Sequence, residues 1–168
     1  MTRFGASEKH ADAERRPRVD AVAVDSGMLA SSTLSEIEHS DAHLLYTDRA
    51  ADRSAEQWTR AILEEVPAEV RAMLERAWGI IGLRLAPTGT AHTVAGWSVA
   101  RVGADHILLQ AESTLGFTGQ LLVRCGEKGV LLATFVQFHD PGASTVWERA
   151  LPAHLGVVRS LLEGAAFR

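Results

Sequence analysis

The spacing of apolar residues changes character twice along the chain. Trp58, Ile62 and Val66 recur every fourth position, as the buried stripe of a helix does. Asp52 or Ser54 is placed to cap that helix. Pro67 suits the first turn of a second helix, whose core face would carry Val70, Met73, Leu74, Ala77 and Trp78, with Gly79 as its stop. After Gly82 the runs become short and rich in Leu and β-branched residues: 96–102, 106–113, 117–125 and 130–139. Gly103-Ala104-Asp105, Leu115-Gly116 and Gly126 to Gly129 separate them and have the composition of hairpin connections. A further strand is expected at 83–87, before a Gly/Thr-rich loop at 88–94. From Gly142 the helical period returns through Val146, Trp147, Leu151, Leu155, Val158, Leu161 and Leu162. Pro152 inside it predicts a kink or a break near residues 149–151.

Ahead of the helical pair, residues 36–47 alternate as a strand. Ile37, His39, Asp41, His43 and Leu45 share one face. Residues 28–34 form at most a short amphipathic piece. Residues 1–26 hold few large apolar side chains and read as a disordered leader, leaving 27–168 as a single domain. The order is strand, two short helices, about five antiparallel strands and a long C-terminal helix. The fold class is α+β, with about six strands in a curved antiparallel sheet.

Composition narrows the function classes by exclusion. The 17 basic and 21 acidic residues give a net charge of −4, so no global attraction draws the chain to nucleic acid. The Arg15, Arg16, Arg18 cluster sits among acids and reads as a solvated tail. Residues 36–76 hold 10 acids against 5 bases, so the helical pair carries much of the negative charge. A single cysteine, Cys125, forms no disulfide framework and reads as a small packing residue. No apolar run suits a signal peptide or a membrane insertion, so the protein is expected in the cytoplasm. Arg outnumbers Lys 15 to 2, which points to a GC-rich bacterial coding sequence.

Three local features carry a family resemblance. They are Gly96-Trp97-Ser98-Val99 at a strand start, the 130–139 strand with Thr134, and Pro152-x-His154 leading into Val157-Val158-Arg159. Over residues 45–166 the chain resembles the bacterial family catalogued as domain of unknown function 2867, placed near the START-related helix-grip superfamily. It departs from that pattern at Ala153, where an aromatic is common, and at Trp147, where Tyr is expected. The resemblance implies a curved sheet wrapped around the C-terminal helix, and an apolar or amphipathic ligand held between them. Relatives are also appended to dinucleotide-binding domains, but this chain has neither G-x-G-x-x-G nor a P-loop, and no cofactor is expected.

Candidate chemistry is sparse. His39, Asp41 and His43 would face one side of a strand, as two imidazoles and a carboxylate must to share a cation. The plainer reading, exposed polar residues on an edge strand, is preferred, and no metal is expected. Glu112 alternates with Gln110 and His106 on the more polar face of its strand and reads as solvated. Asp140 or Ser144 is placed to cap the last helix. No G-x-S-x-G is present. The four tryptophans, 58, 78, 97 and 147, read as core anchors in four different elements.

The leading expectation is a non-enzymatic domain that binds a small apolar or amphipathic molecule. Trp97, Phe135, Leu155 and Val158 would line the cavity, with His154 or Arg159 as the polar contact. One alternative is a protein–protein interaction module without a cavity, with a second copy of the chain as a partner. Another is a cyclase- or hydrolase-like enzyme, which needs His139, Asp140 and His154 to converge.

Overall fold

A computed structural model describes residues 16–168. In chain order its elements are β1 (Val19–Ala21), α1 (Ser26–Ser31), β2 (His39–Tyr46), a 3₁₀ turn at Ala50–Asp52, α2 (Ala55–Leu63), α3 (Ala68–Ile80), β3 (Thr93–Val94), β4 (Trp97–Val102), β5 (His106–Glu112), β6 (Phe117–Gly126), β7 (Gly129–Phe138) and α4 (Ala143–Ala165). The strands form one antiparallel sheet in the order β1-β2-β7-β6-β5-β4-β3. The described residues are therefore α+β, with seven strands rather than about six.

The central pair, β6 and β7, is buried on both faces for most of its length. One face carries Leu121, Val123, Val130 and Leu132, packed against Trp58 and Ile62 of α2 and Val158, Leu161 and Leu162 of α4. The other face carries Leu108, Leu122, Leu131, Ala133 and Phe135, covered by Met28 of α1 and by Val22, Val24, Leu34 and Ile37. The segment expected to be a disordered leader thus supplies an edge strand and part of this cover. The ordered domain begins before residue 27. Residues 1–15 of that leader, Arg15 among them, lie outside the described residues.

Helix α2 starts with a capping box: Ser54 Oγ accepts from the Gln57 amide, and the Gln57 side chain accepts from the Ser54 amide. Helix α3 runs through Gly79 to Ile80, and the chain turns at Gly82, whose φ of +72° suits glycine. Residues 83–87 do not form the strand expected there; they hold one bridge, Leu83 to Ser113, and a hydrogen bond from Ala86 N to Gly96 O. The Thr/Gly-rich stretch instead ends in β3, joined to β4 by a two-residue turn at Ala95-Gly96. Both turn residues have positive φ, as a type I′ hairpin requires. Glu64 Oε1 accepts from the Ala95 amide at 2.8 Å and ties this turn to the end of α2.

Helix α4 is continuous through Pro152, whose side chain is exposed. Proline carries no N–H, so the Glu148 carbonyl one turn earlier loses its helical donor; both residues are exposed, water takes the donor's place, and the break expected near 149–151 does not occur. Neither Asp140 nor Ser144 caps it: Gly142 holds the N-cap position, and Asp140 packs beside Gly116. Among the described residues no helix is long and apolar enough to cross a membrane.

Gly129 begins β7 with φ +149°, and a Cβ there would overlap the carbonyl oxygen of Leu45. Gly129→Ala is expected to destabilise the protein by more than about 2 kcal/mol. Gly126→Ala, whose Cβ would meet open space, should stay within about 0.5 kcal/mol of the parent. Urea unfolding of the two variants measures the contrast.

Candidate functional site

Between the helical face of the sheet and α4 lies a cavity of about 300 Å³ with an almost wholly apolar wall. It exists because the facing surfaces carry small side chains where they meet. The sheet contributes Gly119 and Thr134, α4 contributes Ala150 and Ala153, and α3 contributes Ala77. Helix α4 is buried at Ala143 and Trp147 and again from Val158 to Ala165, but at none of the positions between. It is pinned at two ends and spans the cavity in the middle.

Large aromatics close the remaining sides. Trp78 and Trp97 pack edge to face at 5.9 Å, and Phe117 meets Trp147 at the same distance. Trp58 is apart from these, buried with its indole N–H donating to Ala50 O at 3.0 Å. The wall formed by α3 is thin: of its thirteen residues only Leu74 is buried, and Ile80 at its end is 73% exposed.

Behind the wall residues Thr134, Trp147 and His154 stands a polar cluster. His39 Nε2 lies 2.7 Å and His154 Nε2 3.2 Å from Asp41 Oδ2, while His43 Nδ1 stands 3.8 Å from Oδ1. A carboxylate only accepts, so both rings present N–H at Nε2. Trp147 lies against both imidazoles, with ring centroids 5.2 Å from His39 and 5.0 Å from His154. Burial alone would raise the Asp41 carboxyl, but the N–H groups of His154 and His39 outweigh it and hold it at about 2. Burial pushes His43 down from its usual value, against the pull of Asp41.

These residues were expected to be exposed on an edge strand. They are instead nearly buried, with side-chain exposures of 19% for His39, 13% for Asp41 and 6% for His43, because β1 takes the edge and α4 covers them. The imidazoles converge on the carboxylate rather than on a shared space, and among the described residues no such group is arranged to hold a metal ion.

Of the residues expected to line a cavity, Trp97, His154 and Val158 do so. Phe135 does not: it is fully buried on the opposite face, in the cluster around Met28. Leu155 is half-buried and outside the cavity wall, and Arg159 is exposed and paired with Glu163 at 3.2 Å. His139, Asp140 and His154 do not converge. His139 Nε2 bonds Thr118 Oγ1 at 2.7 Å, and Thr118 in turn donates to Glu112 at 2.5 Å, on the sheet face away from α4. Asp140 sits at the Gly116 turn. Cys125 is half-buried, and burial, then Asp105, pushes its thiol up, away from reactivity. The residues missed by sequence reasoning are Thr134, Trp147 and the small set Gly119, Ala150 and Ala153.

No family model matches this sequence, and no curated protein does. The chain is similar to the crystal structure of CalU16 from Micromonospora echinospora, with 14% identity and a TM-score of 0.31, over 76% of this chain and 86% of that one. A superposition that loose carries no argument about fold or function.

Asp41 and His43 both bind a proton more readily in the unfolded chain, so each contributes stability at neutral pH that is lost as pH falls. For His43 the loss sets in below 6.5; for Asp41 it falls between 3.8 and about 2. Asp41→Asn should lower stability at pH 7 by on the order of 2 kcal/mol and flatten the acid limb between pH 4 and 2. A variant that keeps the parent's slope there would contradict this assignment; chemical denaturation across pH measures it.

Proposed function

We propose that this chain binds a small apolar or amphipathic molecule in the cavity between its sheet and C-terminal helix. The arrangement would be that of a helix-grip protein, as the resemblance to the START-related family and to domain of unknown function 2867 implies. The observation that carries the reading is the cavity itself. A core that needed only to be filled would place large side chains where Gly119, Ala150 and Ala153 stand. A volume of about 300 Å³ lies at the lower end of the range for small-molecule pockets. Its apolar wall favours a ligand driven in by the hydrophobic effect. The thin α3 wall, between Pro67 and Gly82, offers a route of entry that leaves the sheet undisturbed. The enzyme alternative that joins His139 to His154 loses its basis, since the two lie on opposite faces of the sheet.

Naphthalene fits such a cavity and reports through Trp97 and Trp147, which line it. Saturable quenching of tryptophan fluorescence by naphthalene is expected. Gly119→Leu, whose Cβ has only Trp97 within 4 Å, at 3.8 Å, should fill the space. That variant is expected to weaken uptake at least about tenfold, which is about 1.4 kcal/mol, with no loss of thermal stability. Absence of saturable uptake by the parent protein would overturn the proposal.

A further inference from the structure

The cavity has a neighbour. A groove of about 330 Å³ runs between α3 and the segment 83–88. Leu63, Leu74, Trp78 and Leu83 belong to both walls, so the two spaces lie back to back across these four residues. Leu63 and Leu74 are buried, whereas Trp78 and Leu83 are only half-buried. Trp78 stands on α3, the helix with one buried residue, and its ring meets Trp97 edge to face. The partition is therefore least secured at Trp78.

The two spaces differ in chemistry. Trp97 Nε1, Thr134 Oγ1 and Trp147 Nε1 belong to residues of the inner wall and are unpaired, but they have essentially no accessible surface. His154 Nε2 is taken by Asp41. A polar head drawn into the inner cavity would lose its hydrogen bonds to water without replacement. The outer groove sets apolar side chains such as Leu85 beside Glu64, Arg71, Glu75 and Thr88. Glu64 is already engaged by Arg60 and by the Ala95 amide, and Arg71 donates to the Glu64 carbonyl at 2.6 Å. Arg71 and Glu75 are exposed and of opposite sign, so this wall accepts a polar head without selecting its charge. A cavity of about 150 Å³ encloses one benzene, so the inner space holds about ten carbons. A longer chain has its continuation in the groove.

Resting on the cavity reading above, we propose that the bound molecule is a straight-chain amphiphile longer than about ten carbons. Its tail fills the inner cavity, its chain passes Trp78, and its polar head lies in the groove between α3 and residues 83–88.

Calorimetric titration of the full chain with octyl, decyl, dodecyl and tetradecyl glucoside, each below its micelle concentration, tests this. Every methylene added from decyl to tetradecyl is expected to tighten binding about threefold, and each glucoside should displace naphthalene. Gly79 lines the groove and not the cavity, and a Cβ there meets open space. Gly79→Leu should therefore occupy the groove, level the series off at decyl, and leave naphthalene affinity within about twofold. Gly79→Ala, too short to occupy it, should keep the parent's series. Both replacements favour the helix they stand in. A parent series that levels off at decyl would overturn the spanning chain and leave the cavity reading standing. A series unchanged by Gly79→Leu would overturn the placement in this groove in favour of an exit beside Arg149, on the α4 side of the wall. Glucoside binding that leaves naphthalene in place would overturn the passage across Trp78. No binding of naphthalene or of any glucoside would overturn the cavity reading and this inference together.

Discussion

The constraint on which the rest of the structure depends is the two-point attachment of α4 across the sheet. Its C-terminal turns lock into the main core through Val158, Leu161, Leu162 and Ala165, and its first turns anchor through Ala143 and Trp147. Between these anchors the helix cannot sag, because an α-helix is stiff over a few turns and Pro152 on its outer side leaves it continuous. Small side chains on the inner side then leave space rather than being drawn into contact. Close packing is the rule in protein interiors, so a gap bounded by rigid elements persists only when its walls cannot collapse. The sheet below is equally rigid, since β6 and β7 are clamped by side chains on both faces.

The polar cluster belongs to the same attachment. His154 lies on α4, midway along the span, and reaches Asp41 on β2 across a separation of 113 residues. Trp147, one of the two anchors, lies against both that imidazole and His39. A charged carboxylate kept near the core by N–H donors is stabilised by those donors rather than by water, so helix position and Asp41 ionisation depend on one another. The polar cluster is thus also where the helix is held.

Much of the fold was legible, and the places where it was not share physical causes. The Trp58, Ile62, Val66 stripe carries a helical period, and the runs at 96–102, 106–113, 117–125 and 130–139 are bounded by turn residues; helix and strands appear where those signals put them. β1 and β3 are three and two residues long, too short for any period to register. Val22 and Val24 were passed over because a thin apolar cover resembles a polar tail until the face it covers is known. Phe135 was assigned to the wrong side of β7 because a strand buried on both faces has no polar alternation to fix its parity. Gly79 and Gly82 look equally fit to stop a helix in the sequence; the positive φ that decides between them falls on Gly82. His39, Asp41 and His43 were legible as residues on one face. Their burial was not, because it depends on β1 and α4. The cavity was the least legible feature, since alanine and glycine in a helix or strand look the same whether they face a void or a neighbour.

The space under α4 is proposed to be kept for a small molecule. Native mass spectrometry of the protein purified from a cell extract, against the denatured polypeptide as reference, measures this most directly. An added mass of a few hundred daltons at most is expected, the size that a pocket near 300 Å³ encloses, lost on denaturation. A mass equal to the bare polypeptide, unchanged after gentle incubation with apolar compounds of that size, would contradict it.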